Sequence, residues 1–542
     1  MKINNLIFLT LTLFFLAACS TKSSFDKSST TGWEYNNPKV GGFEVNENFV
    51  EQVTGPGLVF IEGGSFTMGR VEQDVMYEWD NIPRKQSVSS FYMDETEVRN
   101  VDYLEYLFWL KRVYSSYPEV YTKALPDTLV WRDKLGYNEP LVKRYLRHPA
   151  YKNYPVVGVS WEQATDYCKW RTDRVNERIL IDACIIKEDM EQMDEAAFTT
   201  EAYLAGYYDA TVINAPKNLT NENYGSGEET RLVRQEDGLL LPSYRLPTEA
   251  EWEFAALGYV GNTLDENTSA RKIYPWNGSQ LRSNSKETQG QIMANFKRGR
   301  GDNMGVAGNL NDMADITAPV KSYWANDYGL YDMAGNVSEW VMDVYRPVIE
   351  QTTTADHRSF RGNVFQTDSL DSDGAVVFDD LGRAIQVDVK VENNTYRRNY
   401  KKSDNINYLD GDIESQMGID WNNALEEDST VDKANVNIDK WNQNAPKYLD
   451  GKTGKSNEMY SYAESSLITD RARVYKGGSW KDRAYWLNPG TRRFLDQSQS
   501  TDAIGFRCAM DRVGDPISSK KNNQRRSGDT NKPSRYYSKK NQ

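Results

Sequence analysis

Short islands rich in glycine and aromatic residues, set between long polar stretches, constrain this chain more than any other feature. Leu58–Gly69 reads as a strand that breaks at Gly63-Gly64 and resumes. Phe91–Val98 is a second island, followed by a helix of about ten residues from Val101 with Asn100 as its N-cap. Tyr154–Val159 reads as a short buried strand. Ser160 and Gln163 then form a capping box, opening a helix that places Trp161, Ala164 and Cys168 on one face. A second box, Thr248 with Glu251, opens a helix over Glu249–Leu257 that Gly258 can close. No internal repeat of fixed period joins the islands.

Between the two capped helices lies an insertion, residues 174–243, with a helix expected around Glu188–Leu204 and a Gly/Asn-rich loop near Asn218–Gly227. A longer insertion, 347–468, is rich in Asp, Asn and Lys and holds a strand-like stretch at Gly374–Val391. Residues 514–542 carry eight Lys and Arg against two Asp and read as a basic, disordered tail. An aromatic content of 12% over 542 residues supplies a sizeable core and argues against wholesale disorder. The formal charge of −13 excludes nucleic-acid binding that relies on neutralising phosphates over the whole chain. Only two histidines, His148 and His357, are present, which excludes a three-His metal site. Glu249, Glu251 and Glu253 sit together, but they read as first-turn residues favoured by the helix dipole, not as an acid/base pair.

The start of the chain reads as an address. Lys2 and the apolar run Leu6–Ala18 form a signal peptide, residues 1–18, too short to span a bilayer. It ends in Leu16-Ala17-Ala18-Cys19, which is similar to a bacterial lipobox with Cys19 as the lipidation site. Acyl chains on Cys19 would hold the protein to a lipid membrane, each buried CH₂ contributing about 0.8 kcal/mol. Ser20 in place of Asp resembles sorting to an outer membrane, with the periplasmic face favoured; residues 19–50 read as the tether.

Seven motifs occur in order: Phe60–Gly69, Tyr154–Trp170, Arg245–Ala256, Tyr274-Pro275-Trp276, Gly329–Trp340, Lys476–Trp480 and Ile504–Cys508. Together they resemble the formylglycine-generating-enzyme (sulfatase-modifying factor) family over residues 51–513. The resemblance implies an α+β, variant C-type-lectin-like fold with low regular secondary structure and long insertions. It implies a disulfide between Cys168 and Cys508, a closure that would stabilise by several kcal/mol on the chain-entropy estimate. Cys184 has no counterpart.

The family's enzymes oxidise a substrate cysteine with two active-site cysteines and copper, three and eight residues beyond the Gly-Gly-Ser serine. Counted from Ser479 beside Trp480, those places hold Asp482 and Leu487. A carboxylate is no soft thiolate for Cu(I) and leucine offers no ligand, so this reading excludes copper and leaves a vestigial cleft. The family also carries structural calcium, a hard cation that takes oxygen ligands. Its second site maps onto Asp332, Gly335, Val337 and Glu339, and its first onto Asn295, Phe296, Asp312 and Ala314.

The lipobox, the two insertions and the tail resemble a gliding-motility lipoprotein of the Bacteroidetes. That likeness implies a non-catalytic scaffold in the gliding-motility and type IX secretion machinery. Its partners would be other envelope proteins, including another lipoprotein of the same family, with Trp421 and Trp441 as candidate anchors. A calcium-dependent, carbohydrate-binding lectin and a cysteine-modifying enzyme are the alternatives.

Overall fold

The computed structural model describes residues 27–35, 51–71, 80–204, 235–269, 272–299 (without 277), 316–345, 366–369, 385–388 and 471–514, and a few single residues between. The signal peptide, Cys19, Asp312, the Asn218–Gly227 loop, Trp421, Trp441 and the basic tail lie outside the described residues. The chain divides into two compact units, one of residues 1–50, 178–189 and 209–240, the other of 51–177, 190–208 and 241–542. The second unit holds every site discussed below.

Its strands are β1 (Leu58–Ile61), β2 (Gly64–Met68), β3 (Arg84–Val88), β4 (Phe91–Asp94), β5 (Tyr244–Arg245) and β6 (Ser338–Val344). They continue with β7 (Gln366–Asp368), β8 (Gln386–Asp388), β9 (Ala472–Lys476), β10 (Arg493–Asp496), β11 (Ile504–Gly505) and β12 (Ala509–Asp511). The helices are α1 (Asn100–Val113), α2 (Pro118–Ala124), α3 (Glu139–Arg144), α4 (Trp161–Asp182), α5 (Thr200–Leu204), α6 (Glu249–Leu257) and α7 (Leu264–Ser269).

One sheet has the order β1-β4-β12-β5, so a strand from the end of the described chain lies between strands from its beginning and middle. The second has the order β10-β9-β6-β11, with β11 parallel to β6 and the other pairs antiparallel. The core follows from these pairings. Aromatic and aliphatic residues of α1 and α4 (Tyr103, Leu107, Leu110, Ala164, Tyr167) gather around Phe506 and Met510. A second cluster sets Trp252, Phe254 and Ala255 of α6 against Phe66, Met68, Val341 and Val474.

Both capping boxes form. Gln163 N–H donates to Ser160 Oγ at 3.2 Å while Ser160 N–H donates to Gln163 Oε1 at 3.0 Å. Glu251 and Thr248 make the same reciprocal pair, and Gly258 closes α6 with φ 55°. Other expectations are corrected. Asn100 is the first residue of α1, not its cap: its side chain is buried and donates to the carbonyls of Tyr145 and Tyr151, while Asp102 accepts the Arg99 N–H. Tyr154–Val159 is buried but is no strand. It makes one isolated antiparallel bridge, Arg99 opposite Pro155, and its other backbone bonds go to Asp127, Tyr151 and Thr501, which satisfies the groups without a ladder. Glu188–Leu204 is no continuous helix but the short turn Asp194–Ala196 followed by α5. Of the stretch Gly374–Val391, the described residues include β8, paired with β7, and most of the rest lies outside the described residues.

One ion pair ties the islands together. Arg507 is fully buried and donates Nε to Glu339 Oε2 and Nη2 to Glu339 Oε1, both at 2.6 Å. Its remaining donors reach the carbonyls of Asp94 (3.1 Å) and Tyr331 (2.9 Å), and Trp252 Nε1 donates to Glu339 Oε2 at 2.7 Å. Truncating one partner of such a pair leaves a buried charge unbalanced. Arg507→Leu is therefore expected to destabilise by about 3–5 kcal/mol in urea unfolding, with much of the loss recovered in the double variant with Glu339→Leu. Equal losses in the single and double variants would show that the pair is not the tie.

Candidate functional site

The candidate site begins where β9 ends. Gly477 and Gly478 follow Lys476 with φ values of 95° and 70°, a left-handed region where a side chain is costly. Space forbids one as well: a Cβ on Gly478 would lie 2.7 Å from the Trp486 carbonyl oxygen, and one on Gly477 3.0 Å from the Trp252 ring. The turn aims Ser479 at Asp482. Ser479 N–H and Oγ–H both donate to Asp482 Oδ2, at 2.8 and 2.6 Å. Arg493 on β10 binds the same carboxylate in bidentate fashion, Nη1 to Oδ1 and Nη2 to Oδ2, each at 2.7 Å. The guanidinium also donates to Ser338 Oγ at 3.0 Å and lies over the rings of Tyr475 and Trp486.

The two positions expected to hold cysteine in an oxidase are thus both occupied by other chemistry. Asp482 is charge-balanced and accepts four hydrogen bonds, so its lone pairs are committed. Leu487 is fully buried among Tyr274, Ile292, Phe296 and Ala334 and serves as core. Trp480 is buried, donates Nε1–H to the Asp502 carbonyl at 3.1 Å and stacks on Trp131 at 6.0 Å. Among the described residues, no cysteine accompanies this group.

Next to it lies a buried acidic pocket. Glu97 accepts Val337 N–H at 3.1 Å and Asn336 Nδ2–H at 2.7 Å. Asp332, with φ 56°, accepts Lys321 N–H at 3.1 Å. Burial, then the repulsion of Asp332 and Glu339, pushes the Glu97 carboxyl well up; burial pushes Asp332 up to about 6. The expected calcium ligands fare unequally here. Glu339 is committed through both oxygens to Arg507 and Trp252 and does not fit the ligand role. Asn295 is also engaged, its amide donating to the Ile316 carbonyl and to Asn336 Oδ1, its carbonyl accepting Asn336 N–H. Asp332, Gly335 and Val337 share one turn as expected. Glu97, which the sequence reading missed, is the second carboxylate whose charge is left over. Among the described residues, no three His, Cys, Asp or Glu side chains converge to hold a metal.

Cys168 on α4 and Cys508 come together, but as thiols. Their sulfurs stand 3.4 Å apart, beyond the ~2.05 Å of a disulfide, so the expected bridge is not formed here. Both are buried, and burial pushes the Cys508 thiol well up, with the neighbouring thiol adding to this.

A second buried network was also misread as a capped first turn. Lys476 donates to Glu249 Oε1 (3.2 Å) and Glu253 Oε2 (3.1 Å), and Arg492 Nε donates to Glu249 Oε1 (2.7 Å). Only Glu251 performs the capping role. Glu249 and Glu253 stand four residues apart and so share a helix face, the signal that could have revealed them. Asp343 accepts Glu249 N–H at 2.7 Å.

Residues 43–380 match the family described as sulfatase-modifying factor enzyme 1-like domain, and the chain belongs to this FGE-sulfatase family. It is 24% identical over 310 residues to the formylglycine-generating enzyme of Mus musculus, covering 53% of this chain and 58% of that protein. It is equally 24% identical over 311 residues to the inactive C-alpha-formylglycine-generating enzyme 2 of Mus musculus, covering 54% of this chain and 70% of that one. Among solved structures, PvdO from Pseudomonas aeruginosa overlays with a TM-score of 0.36 at 14% identity, covering 84% of this chain and 94% of that one. The chain spans less than two thirds of the formylglycine-generating enzymes of Mus musculus and Bos taurus that it matches. The family thus holds relatives named as active and as inactive, which is compatible with a non-catalytic role.

Two measurements test this site. Asp482→Ala strips both Ser479 donors and Arg493 of their acceptor and is expected to cost about 2–4 kcal/mol in urea unfolding. A loss below about 0.5 kcal/mol would count against a closed site. The second concerns pH. Burial, then Glu249, raises Asp343 from 3.8 to about 7, against the smaller pull of the Glu249 N–H and Arg492. The folded chain keeps this proton where an unfolded Asp has lost it. Unfolding therefore releases a proton across that window, and stability falls as pH rises from about 4 to 7. Asp343→Asn should flatten the slope of unfolding free energy between about pH 5 and 7.5; an unchanged slope would remove Asp343 as its source.

Proposed function

We propose that the chain is a non-catalytic, outer-membrane lipoprotein that acts as a structural scaffold in the gliding-motility and type IX secretion machinery. The observation that carries the non-catalytic part is the Ser479–Asp482–Arg493 closure. A carboxylate neutralised by a bidentate guanidinium, with a buried leucine beyond it, supplies neither a soft metal ligand nor a redox thiol. The location rests on Cys19 in its lipobox, and the machinery on the resemblance in the lipobox, insertions and tail. The partners are other envelope proteins, including another lipoprotein of the same family.

Calcium enters this reading only as a structural ion on Asp332 and the carbonyls of Gly335 and Val337, with Glu339 excluded. Added calcium should then raise the melting temperature of the wild type and leave Asp332→Asn unmoved. No shift in the wild type would remove the ion from this turn.

The decisive experiment is in-cell crosslinking of the tagged protein, with purification from detergent-solubilised envelopes and mass spectrometry. A stoichiometric set of motility or secretion proteins is the expected result, and recovery of the lipoprotein alone would remove the scaffold. Incubation with a cysteine-containing peptide should leave the peptide mass unchanged; an oxidised product would restore the enzyme. Export also predicts that Cys168 and Cys508 bridge in the cell. In that case both resist alkylation after unfolding until a reductant is added, whereas immediate alkylation of both would contradict export to an oxidising compartment.

A further inference from the structure

The segment between α2 and the start of α4 departs from the rest of the chain in charge. From Lys123 to Lys152, seven Lys and Arg stand against three Asp and Glu, whereas the whole chain carries 65 against 78. All seven basic side chains are exposed. Arg132 is paired with Glu139 at 2.7 Å; Lys134, Lys143, Arg144 and Arg147 extend the positive charge along the loop and α3.

The tip of the same segment is apolar where solvent would favour polar residues. Leu135 is 99% exposed and Tyr137 84%, on either side of Gly136 in the loop that joins the turn Thr128–Trp131 to α3. Leu129 at the base is half exposed. The tip stands on a rigid footing. Trp131 is buried, packs on Tyr145 at 4.6 Å and stacks on Trp480, and Leu135 N–H donates to Asp133 Oδ1 at 3.0 Å. Tyr145 is pinned in turn, its hydroxyl within 2.7 Å of the Pro155 carbonyl and 2.9 Å of Thr317 Oγ1.

A leucine and a tyrosine at a solvent-exposed tip, in a segment whose exposed lysines and arginines outnumber its acids, match the two layers of a lipid surface. Apolar and aromatic groups enter the headgroup boundary while cations meet anionic phosphates. We propose that this loop is a second membrane contact, in which Leu135 and Tyr137 insert into an anionic lipid surface held by Lys134, Lys143 and Arg144. An acidic protein could take the same tip; the acyl chain proposed on Cys19, which keeps a lipid surface within reach of every loop, favours the membrane. The inference rests on the lipid-anchored reading for its setting: one acyl-linked anchor leaves a domain free to tumble, and a basic apolar loop fixes which face meets the membrane.

The test uses the full chain purified from envelopes in detergent and transferred to vesicles of phosphatidylcholine with or without phosphatidylglycerol. Hydrogen exchange of residues 132–138 is read by mass spectrometry. The expected result is exchange slowed by about tenfold or more on phosphatidylglycerol vesicles alone, and restored by high salt. Leu135→Ser with Tyr137→Ser, and separately Lys134→Glu with Lys143→Glu, should abolish the protection without changing the melting temperature, since all four side chains are exposed. Equal exchange on both vesicle types, in a chain that still floats with them, would overturn the loop contact and leave the acyl anchor standing. Protection on phosphatidylglycerol by a chain whose Cys19 carries no lipid mass would uphold the loop contact and remove the anchor. Protection that needs a co-purified protein and not phosphatidylglycerol would overturn the lipid contact in favour of a protein dock.

Discussion

The fold depends on a single buried guanidinium. Arg507 has no exposed surface and directs its donors to Tyr331 and Glu339 of one segment and to Asp94 of another, both far from it in the chain. Trp252 of α6 completes the Glu339 carboxylate. A protein with short strands has few ladder bonds to hold distant segments in register. A planar fork of donors, satisfied at fixed angles, specifies that register more sharply than apolar packing, which tolerates sliding. The two four-stranded sheets are built around this point, since β12 follows Arg507 and Cys508 into one sheet and β11 precedes them in the other.

The same economy of satisfied polar groups describes the cleft. Reactive sites keep groups whose hydrogen bonds or charges are incomplete, because chemistry needs a nucleophile, an acid or a ligand that is not already spoken for. Around Ser479 the polar groups close on one another: Ser479 donates to Asp482, and Arg493 donates to the same carboxylate and to Ser338 and lies over two aromatic faces. The glycine turn serves here as a structural corner. The incomplete groups have moved inward, to Glu97, Asp332 and Asp343, whose raised carboxyls mark charge buried without full compensation.

Much of this was legible in the sequence because its signals are local. The capping boxes at Ser160 and Thr248, the glycine stop at Gly258 and the break at Gly63 each depend on a few adjacent residues. What was not legible depends on residues brought together from afar. Glu249 and Glu253 look like dipole-complementing glutamates until Lys476 and Arg492 arrive from more than 220 positions away. Glu97 sits in an ordinary acidic run, and only the fold turns it against Asn336 and Val337. Tyr154–Val159 has the composition of a strand, yet beyond a single bridge to Arg99 its backbone bonds are spread over Asp127, Tyr151 and Thr501, so no strand runs beside it.

These features bear on how the family fold accommodates long insertions. Tolerance for insertions follows from the way the core is closed: both sheets and the Arg507 hub are complete within the described residues, so the long segments interrupt loops and not ladders. Asp482 and Leu487 offer no soft ligand at this corner, and the carboxylate–guanidinium pair and the buried leucine fit it without disturbing the glycine turn. Asp482 joins Ser479 to β10 by four hydrogen bonds, which makes the corner part of the frame that the insertions leave intact.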